Sequence, residues 1–328
     1  MQVNLKQLSN NKDNSNQSTN LVKVSICVAT YKRPNLLRDL LVSLNNLTFT
    51  QSSIPVIEVI IVDNDSACSA KATVEQIRSS FQWPLTYFVE ANQGVTYARN
   101  RCIQEASRDS DFIAMLDDDE TATPQWLDEL LINQQKSNAE IVTGPSLAVY
   151  KDNQQVPDWI RVGGFYSFPR YETGKRMETA FTNNVMFSTK LLKNLKDNET
   201  LFDNRFAQNG AEDAYLFSCL NKQGYKIVWV DDAVLHEPVD DKRLSLNWIL
   251  KRGFWSWSVH SFIEAELYPS FKIQAIRAIK GLGLIFIGLV TIVPSLLLGR
   301  AKVAWALLRV SRGMGTLSGL LGRQGSWR

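Results

Sequence analysis

The sequence predicts an α/β protein built on a mainly parallel sheet, and three observations carry that prediction. Short apolar runs alternate with amphipathic helical patterns through most of the chain. The runs end in clusters of polar residues, as strands do in open α/β sheets, where ligands sit outside the carboxyl ends. The composition, 45% hydrophobic and 21% charged over 328 residues, supplies a full core and excludes a disordered, collagenous or disulfide-stapled chain.

Residues 24–29 (V-S-I-C-V-A) read as a buried strand running into Thr30-Tyr31-Lys32-Arg33-Pro34. A helix follows with Pro34 in its first turn and Leu36, Leu37, Leu40, Leu41 and Leu44 on one face. A second strand, 56–62, stops at Asp63-Asn64-Asp65, and a third, 85–89, leads through Asn92-Gln93-Gly94 into a helix from Val95. The fourth, 112–116, ends in Asp117-Asp118-Asp119-Glu120 before a helix from about Pro124, and 141–143 and 226–230 read as further strands. The first 20 residues include 13 Asn, Ser, Gln or Thr and no apolar stretch after a basic start, so 1–20 is expected to be a disordered leader, not a secretory signal. Cys27, Cys68, Cys102 and Cys219 are scattered without metal-site spacing and read as reduced thiols.

Gly-x-Gly-x-x-Gly and Walker A sequences are absent, which argues against an ordinary dinucleotide site or P-loop. The strand ends offer carboxylates instead. On extended backbone Asp117 and Asp119 face one way and Asp118 and Glu120 the other. Two carboxylates aimed into one cleft repel unless a cation lies between them, and Mg²⁺ or Mn²⁺ bridging to phosphate oxygens meets that need. The alternative is a set of solvated turns and helix caps. Glu212 and Asp213 stand at the start of a helix whose face is Leu216, Phe217 and Leu220, where an acid serves either as a cap or as an ionised general base. His236, after the last strand, either completes a metal site with Asp119 and phosphates or is a satisfied, partly buried histidine.

In this order, Ala29-Thr30-Tyr31-Lys32-Arg33-Pro34, Val62-Asp63-Asn64-Asp65, Asn92-x-Gly94 with Ala98-Arg99-Asn100, Leu116-Asp117-Asp118-Asp119-Glu120 and Glu212-Asp213 resemble glycosyltransferase family 2, in particular its succinoglycan-type glucosyltransferases. The resemblance covers about residues 23–255. It implies a GT-A fold that binds a nucleotide-sugar donor with a divalent ion and transfers the sugar with inversion. By the same resemblance Thr30, Tyr31 and Arg33 line the nucleotide site, and Asp63 contacts the base, with Asp65, Asn92, Gly94 and Asp118 in the same donor region. Arg99 lies near the nucleotide, Asp117 near the ribose, and Asp119 on the metal with His236 beside the diphosphate. Asp213, with Glu212 next to it, is the base. Polymerising relatives carry a Q-x-x-R-W block, which Lys251-Arg252-Gly253-Phe254-Trp255 lacks, so the resemblance implies one sugar per encounter.

The expected organisation is a catalytic domain over 21–240, with a nucleotide-binding half at 21–148 and an acceptor half at 149–240, followed by a helical membrane-associated region at 241–328. From 267 to 328 there are nine Lys/Arg and no acid, whereas the first 266 residues carry a net charge of −6. Within this region 281–299 holds no charge, about 28 Å of helix against a hydrocarbon core of about 30 Å. Both flanks are basic, which favours a helix lying in a membrane interface or a re-entrant hairpin with 303–321 over a span; a buried helix pair is the alternative. Nucleic acid is a poor partner for an acidic body with so apolar a tail. A membrane-facing enzyme on the cytoplasmic side implies a lipid-linked saccharide acceptor. The aromatic stretch at 150–176 suits either a sugar site or a loop packed on the domain edge. Two other functions share these features: a metal-dependent nucleotidyltransferase, and an inactive membrane scaffold of a polysaccharide assembly complex.

Overall fold

The apolar run at 24–29 becomes a central strand of the main sheet. In the computed structural model, which describes residues 21–194 and 200–323, β1 (Lys23–Thr30) pairs in parallel with β2 (Val56–Asp63) on one side and with β4 (Phe112–Leu116) on the other. Strand β3 (Leu85–Val89) extends the sheet beyond β2. The expected leader at 1–20 lies outside the described residues.

Beyond β4 the sheet departs from expectation. The segment N-V-M-F-S forms β8 (Asn184–Ser188), antiparallel to both β4 and β6 (Ile141–Thr143), and β9 (Ile227–Trp229) closes the order β3-β2-β1-β4-β8-β6-β9. A second sheet pairs β10 (Leu235–Pro238) with β5 (Thr121–Ala122) and β7 (Ser146–Val149). These strands have two to four residues, too short to show a period in the sequence.

Alternation of side chains explains the layers. Val24, Ile26 and Val28 meet Leu37, Leu40 and Leu41 of α1 (Pro34–Leu44), Val74 of α2 (Lys71–Arg78) and Trp126 of α4 (Trp126–Ser137) on one face. Cys27, Ile113, Met115 and Phe187 meet Ala98 and Cys102 of α3 (Val95–Glu105) and Phe217 of α6 (Glu212–Lys222) on the other. Burying each leucine or phenylalanine of these layers is worth about 1.5–3 kcal/mol relative to exposure. The four cysteines are free.

After β10 the chain forms α7 (Leu246–Leu267), α8 (Phe271–Leu296) and α9 (Arg300–Leu320). Ser245 starts α7 by accepting from Trp248 N at 3.2 Å. Ile249 and Leu308 carry α7 and α9 into one cluster with Val156, Val239 and Ile160 of α5 (Asp158–Gly163). The aromatic stretch supplies the rest of that cluster. Phe165 stacks on Trp305 and Tyr166 on Trp248, with ring centroids 5.2 and 5.6 Å apart. The structure therefore assigns Tyr166, Phe165 and Trp159 to packing beneath α7 and α9, the domain-edge alternative.

Candidate active site

The connections after β1 and β4 leave the sheet in opposite directions, and the crevice between two such strands is where a ligand enters a sheet of this kind. Thr30 ends β1 and Asp117 follows β4, so the topology alone brings these polar residues together. Thr30 Oγ1 donates to Asp118 Oδ2 at 2.7 Å, and Arg33 Nη1 donates to Asp118 Oδ1 and Asp119 Oδ2, both at 3.0 Å. Arg243, in the turn that follows β10, reaches Asp119 Oδ2 at 3.5 Å while its other guanidinium nitrogen pairs with Glu237. Burial and the adjacent Asp117 push the Asp119 carboxyl up to about 7, against the pull of Arg33. Asp118 is raised by burial in the same way, with Arg33 and Thr30 opposing.

Asp117 is tied to the opposite wall. Arg99, buried on α3, donates from Nη2 to Asp117 Oδ1 at 2.8 Å and from Nη1 to Glu212 Oε1 at the start of α6. Burial draws the guanidinium pKa down, and Glu212 and Asp117 more than offset this, so it stays charged. Glu212 is 1% exposed; burial lifts its carboxyl to about 7 although Arg99 opposes, and its Oε2 is buried without a hydrogen-bond partner. Asp213, the next residue, is only half-buried and makes no hydrogen bond to Arg99 among the described residues. Its Oδ2 accepts from Thr182 N and Oγ1, both at 3.2 Å, and it occupies the first turn of α6, where the helix dipole favours an anion.

Glu120 braces the acidic loop from beneath. Its Oε2 accepts from Asp117 N at 3.0 Å, and its Oε1 accepts from Ser146 Oγ of β7 and from Asn183 Nδ2, the latter at 3.4 Å. Arg252 of α7 stands half-buried over the Trp255 ring, 4.7 Å from its centroid, within electrostatic reach of Glu237, Asp213 and Asp117.

On the β2 side the loops are built around Asp63 and Asn64. Asp63 is fully buried; its carboxylate accepts from Asp65 N at 3.0 Å, Ala70 N at 2.8 Å and Tyr87 Oη at 2.9 Å. Asn64 Nδ2 donates to Asn92 O at 2.7 Å and its Oδ1 accepts from Gly94 N at 2.8 Å. Gly94 has φ +149°, and a Cβ there would fall 2.9 Å from Ala207, so glycine is required where this loop meets the segment leading to Asp213. Tyr31 is exposed and accepts from Gln93 Nε2 at 2.7 Å.

The family model of glycosyl transferase family 2 matches residues 25–201, and the chain is 33% identical over 248 residues to the succinoglycan biosynthesis protein ExoM of Rhizobium meliloti, covering 74% of this chain and 75% of that one. The chain belongs to glycosyl transferase family 2. A second relative, the glucosyl-dolichyl phosphate glucuronosyltransferase of Haloferax volcanii, is 22% identical over 250 residues, 71% of this chain and 76% of the other. Among solved structures, the mannosyltransferase PcManGT of Pyrobaculum calidifontis, in complex with GDP-Man and Mn²⁺, superposes with a TM-score of 0.60 at 16% identity over 93% of this chain and 89% of that one. The protein is a hexosyltransferase with a GT-A fold, and the α/β expectation holds.

Within this glycosyltransferase, the structure gathers two hydrogen-bonded clusters, Thr30 and Arg33 with Asp118 and Asp119, and Arg99 with Asp117 and Glu212, while Asp213, next to Glu212 in the chain, is held by Thr182. Tyr31, Asn92 and Gly94 lie on its β2 flank, whereas Asp63 and Asp65 are buried and turned inward to shape the loop that holds them. His236 pairs with Thr121 and Leu147 in the small sheet. The residue of β10 whose side chain joins the acids is its neighbour Glu237, through Arg243. Among the described residues no three His, Cys, Asp or Glu side chains are placed to hold a metal ion by themselves. Sequence reasoning missed Arg243, Arg252, Glu237 and Thr182. The charged run Glu237-Pro238-Val239-Asp240-Asp241-Lys242-Arg243 was the available signal for two of them.

Proposed function

We propose that the enzyme transfers one sugar, with inversion, from a nucleotide-diphosphate sugar such as UDP-glucose to a lipid-linked saccharide during surface polysaccharide synthesis. The observation that carries this reading is a pair of arginine-held acid clusters, Arg33 with Asp118 and Asp119, and Arg99 with Asp117 and Glu212, which adjoin along the chain at Asp117-Asp118 and bring the half-buried Asp213 beside Glu212. The half 21–148 supplies the donor groups, and 149–240 supplies Thr182 and Asp213. The names of the Rhizobium and Haloferax relatives support a saccharide acceptor, the latter one carried on a lipid phosphate.

The site fits a hard divalent cation, Mg²⁺ or Mn²⁺, held chiefly by substrate. Asp119 Oδ2 takes both arginines, Oδ1 carries no hydrogen bond among the described residues, and the crowding that lifts its carboxyl is relieved by a cation. Bound there with donor phosphate oxygens, the ion would offset the charge that develops on the diphosphate as the glycosidic phosphate bond breaks. Arg33 and Arg243 stand at the same place and add fixed positive charge. Asp213, held by Thr182 in the first turn of α6, takes the proton of the acceptor hydroxyl as that oxygen attacks the opposite face of the anomeric carbon. Glu212 holds Arg99 and does not reach the cleft. The basic, apolar region 241–328 supports work at the cytoplasmic face of the membrane.

The test is turnover of the purified protein with a panel of nucleotide sugars, Mn²⁺ or Mg²⁺ and a lipid extract. Release of the nucleoside diphosphate with formation of an inverted glycolipid is expected. Release of pyrophosphate would make the enzyme a nucleotidyltransferase, and absence of any metal-linked nucleotide binding would make it a scaffold.

A further inference from the structure

The C-terminal helices form three layers. On α8, Gly281, Gly288 and Ser295 recur every seven residues, are buried, and the glycines let α9 approach so closely that a Cβ on Gly288 would fall 2.8 Å from Ala306 O. The far side of α9 is closed against α7. A Cβ on Gly315 or Gly319 would fall 2.2 or 2.1 Å from the carbonyl oxygens of Phe254 and Ser258. Helix α7 in turn packs on the catalytic body, Ile249 against Val239 and Ile160, and Val259 and Ile263 against Phe206 and Ala211, two residues before Asp213. The catalytic body is therefore joined to the middle of α8 through two helix-to-helix steps of about 8–10 Å each.

That stacking decides how α8 can meet a bilayer. It is 26 residues long and apolar enough to cross one, but its middle would then stand at the centre of a hydrocarbon slab about 30 Å thick. Alongside it would come Arg309 and Arg312 of α9, and Arg252 next to Gly253 of α7, which packs against Leu308 and Arg312. Lying flat, α8 presents to lipid only the side turned away from α9, where Ile279, Leu282, Phe286, Val290, Val293 and Leu296 are 56–72% exposed. Residues 267–323 hold no acid, and exposed Lys272, Lys280, Arg300 and Lys302 flank the apolar face at its two ends. An apolar strip between cations complements a surface of anionic headgroups.

We propose that α8 is a docking helix that lies in the plane of an anionic bilayer, inserted from one side, and that α9 links it rigidly to the catalytic body. This rests on the membrane-surface reading above and adds its geometry and lipid class. The full chain is to be floated with vesicles of phosphatidylcholine alone and of phosphatidylcholine mixed with phosphatidylglycerol. Binding at least tenfold tighter to the mixed vesicles is expected. Lys272→Gln with Lys280→Gln, Arg300→Gln and Lys302→Gln abolishes that preference, and Phe286→Asp with Val293→Asp abolishes binding, while both variants keep the circular dichroism of the parent because these side chains face solvent. In a Lys302→Cys chain bound to preformed vesicles, labelling by an external membrane-impermeant maleimide above the background of the native cysteines is expected. Protection of that cysteine until detergent is added would show that α8 spans and overturn the in-plane geometry alone. Absence of vesicle binding, or binding unaffected by Phe286→Asp with Val293→Asp, would overturn the membrane reading, and a stable dimer lost in the same variant would identify a second copy as the occupant.

Discussion

Arg99 joins Asp117 to Glu212, donating one guanidinium nitrogen to each. The acidic loop after β4 and the first turn of α6 are far apart in sequence, and this one buried side chain sets their spacing. A lysine keeps the charge but has a single ammonium that cannot span two carboxylates in a fixed fork. Arg99→Lys is expected to fold and to lose about tenfold to a hundredfold in kcat with a smaller change in donor affinity. Arg99→Ala, which leaves two carboxylates uncompensated, is expected to be destabilised as well. Steady-state kinetics and thermal unfolding check both; full kcat in the lysine variant would remove the positioning role.

Asp213 and Glu212 are neighbours with opposite environments, one half-open on Thr182 and the other sealed against Arg99. Asp213→Asn keeps the shape and removes the proton acceptor. A loss of about 10²–10⁴ in kcat is expected, the range of general base catalysis, with nucleotide-sugar binding unchanged by calorimetry. Glu212→Gln is expected to act chiefly on stability. Equal turnover in Asp213→Asn and the parent would exclude Asp213 as the base.

Asp119 shares one oxygen between Arg33 and Arg243 and leaves the other available. Chelation is expected to abolish transfer and added Mn²⁺ or Mg²⁺ to restore it. In Asp119→Ala the concentration of Mn²⁺ needed for half restoration is expected to rise at least tenfold, read from initial rates. An unchanged titration would place the metal elsewhere.

Much of this was legible in the sequence because β1, β2 and β4 are buried on both faces and end abruptly in acids, a local pattern that needs no partner to be recognised. The Asp117–Glu120 run and the Glu212-Asp213 pair were visible for the same reason. Strand β8 was not, since only pairing with β4 and β6 makes N-V-M-F-S a strand. Nor was the inward turn of Asp63, whose carboxylate looks free in sequence and is taken by two backbone amides and Tyr87 in three dimensions. Arg243 comes from the turn after β10, and only the pairing of β10 in the small sheet brings it to Asp119.

Asp128 on α4 is fully buried and closes the loop after α1. Its carboxylate accepts from the backbone nitrogens of Thr50, Gln51 and Ser52 at 2.7, 2.9 and 2.9 Å and from Ser52 Oγ at 2.6 Å. Burial raises its pKa, and the bonds from Ser52, Thr50 and Gln51 outweigh that and bring it below the usual carboxylate range. A carboxylate with a folded pKa below its unfolded value of about 3.9 contributes stability that is complete above that value and is lost as the pH falls through the folded pKa. Asp128→Asn replaces one charged acceptor by an amide and is expected to cost about 1–3 kcal/mol at neutral pH, a fall in Tm of about 2–4 °C per kcal/mol. The gap in Tm between parent and variant is expected to begin narrowing below pH about 3.9 and to close as the pH falls through the parent's lower folded pKa. Thermal unfolding by circular dichroism between neutral and acid pH measures it, and a gap that stays constant through that range would show that the loop is held by packing and not by the ionised acceptor.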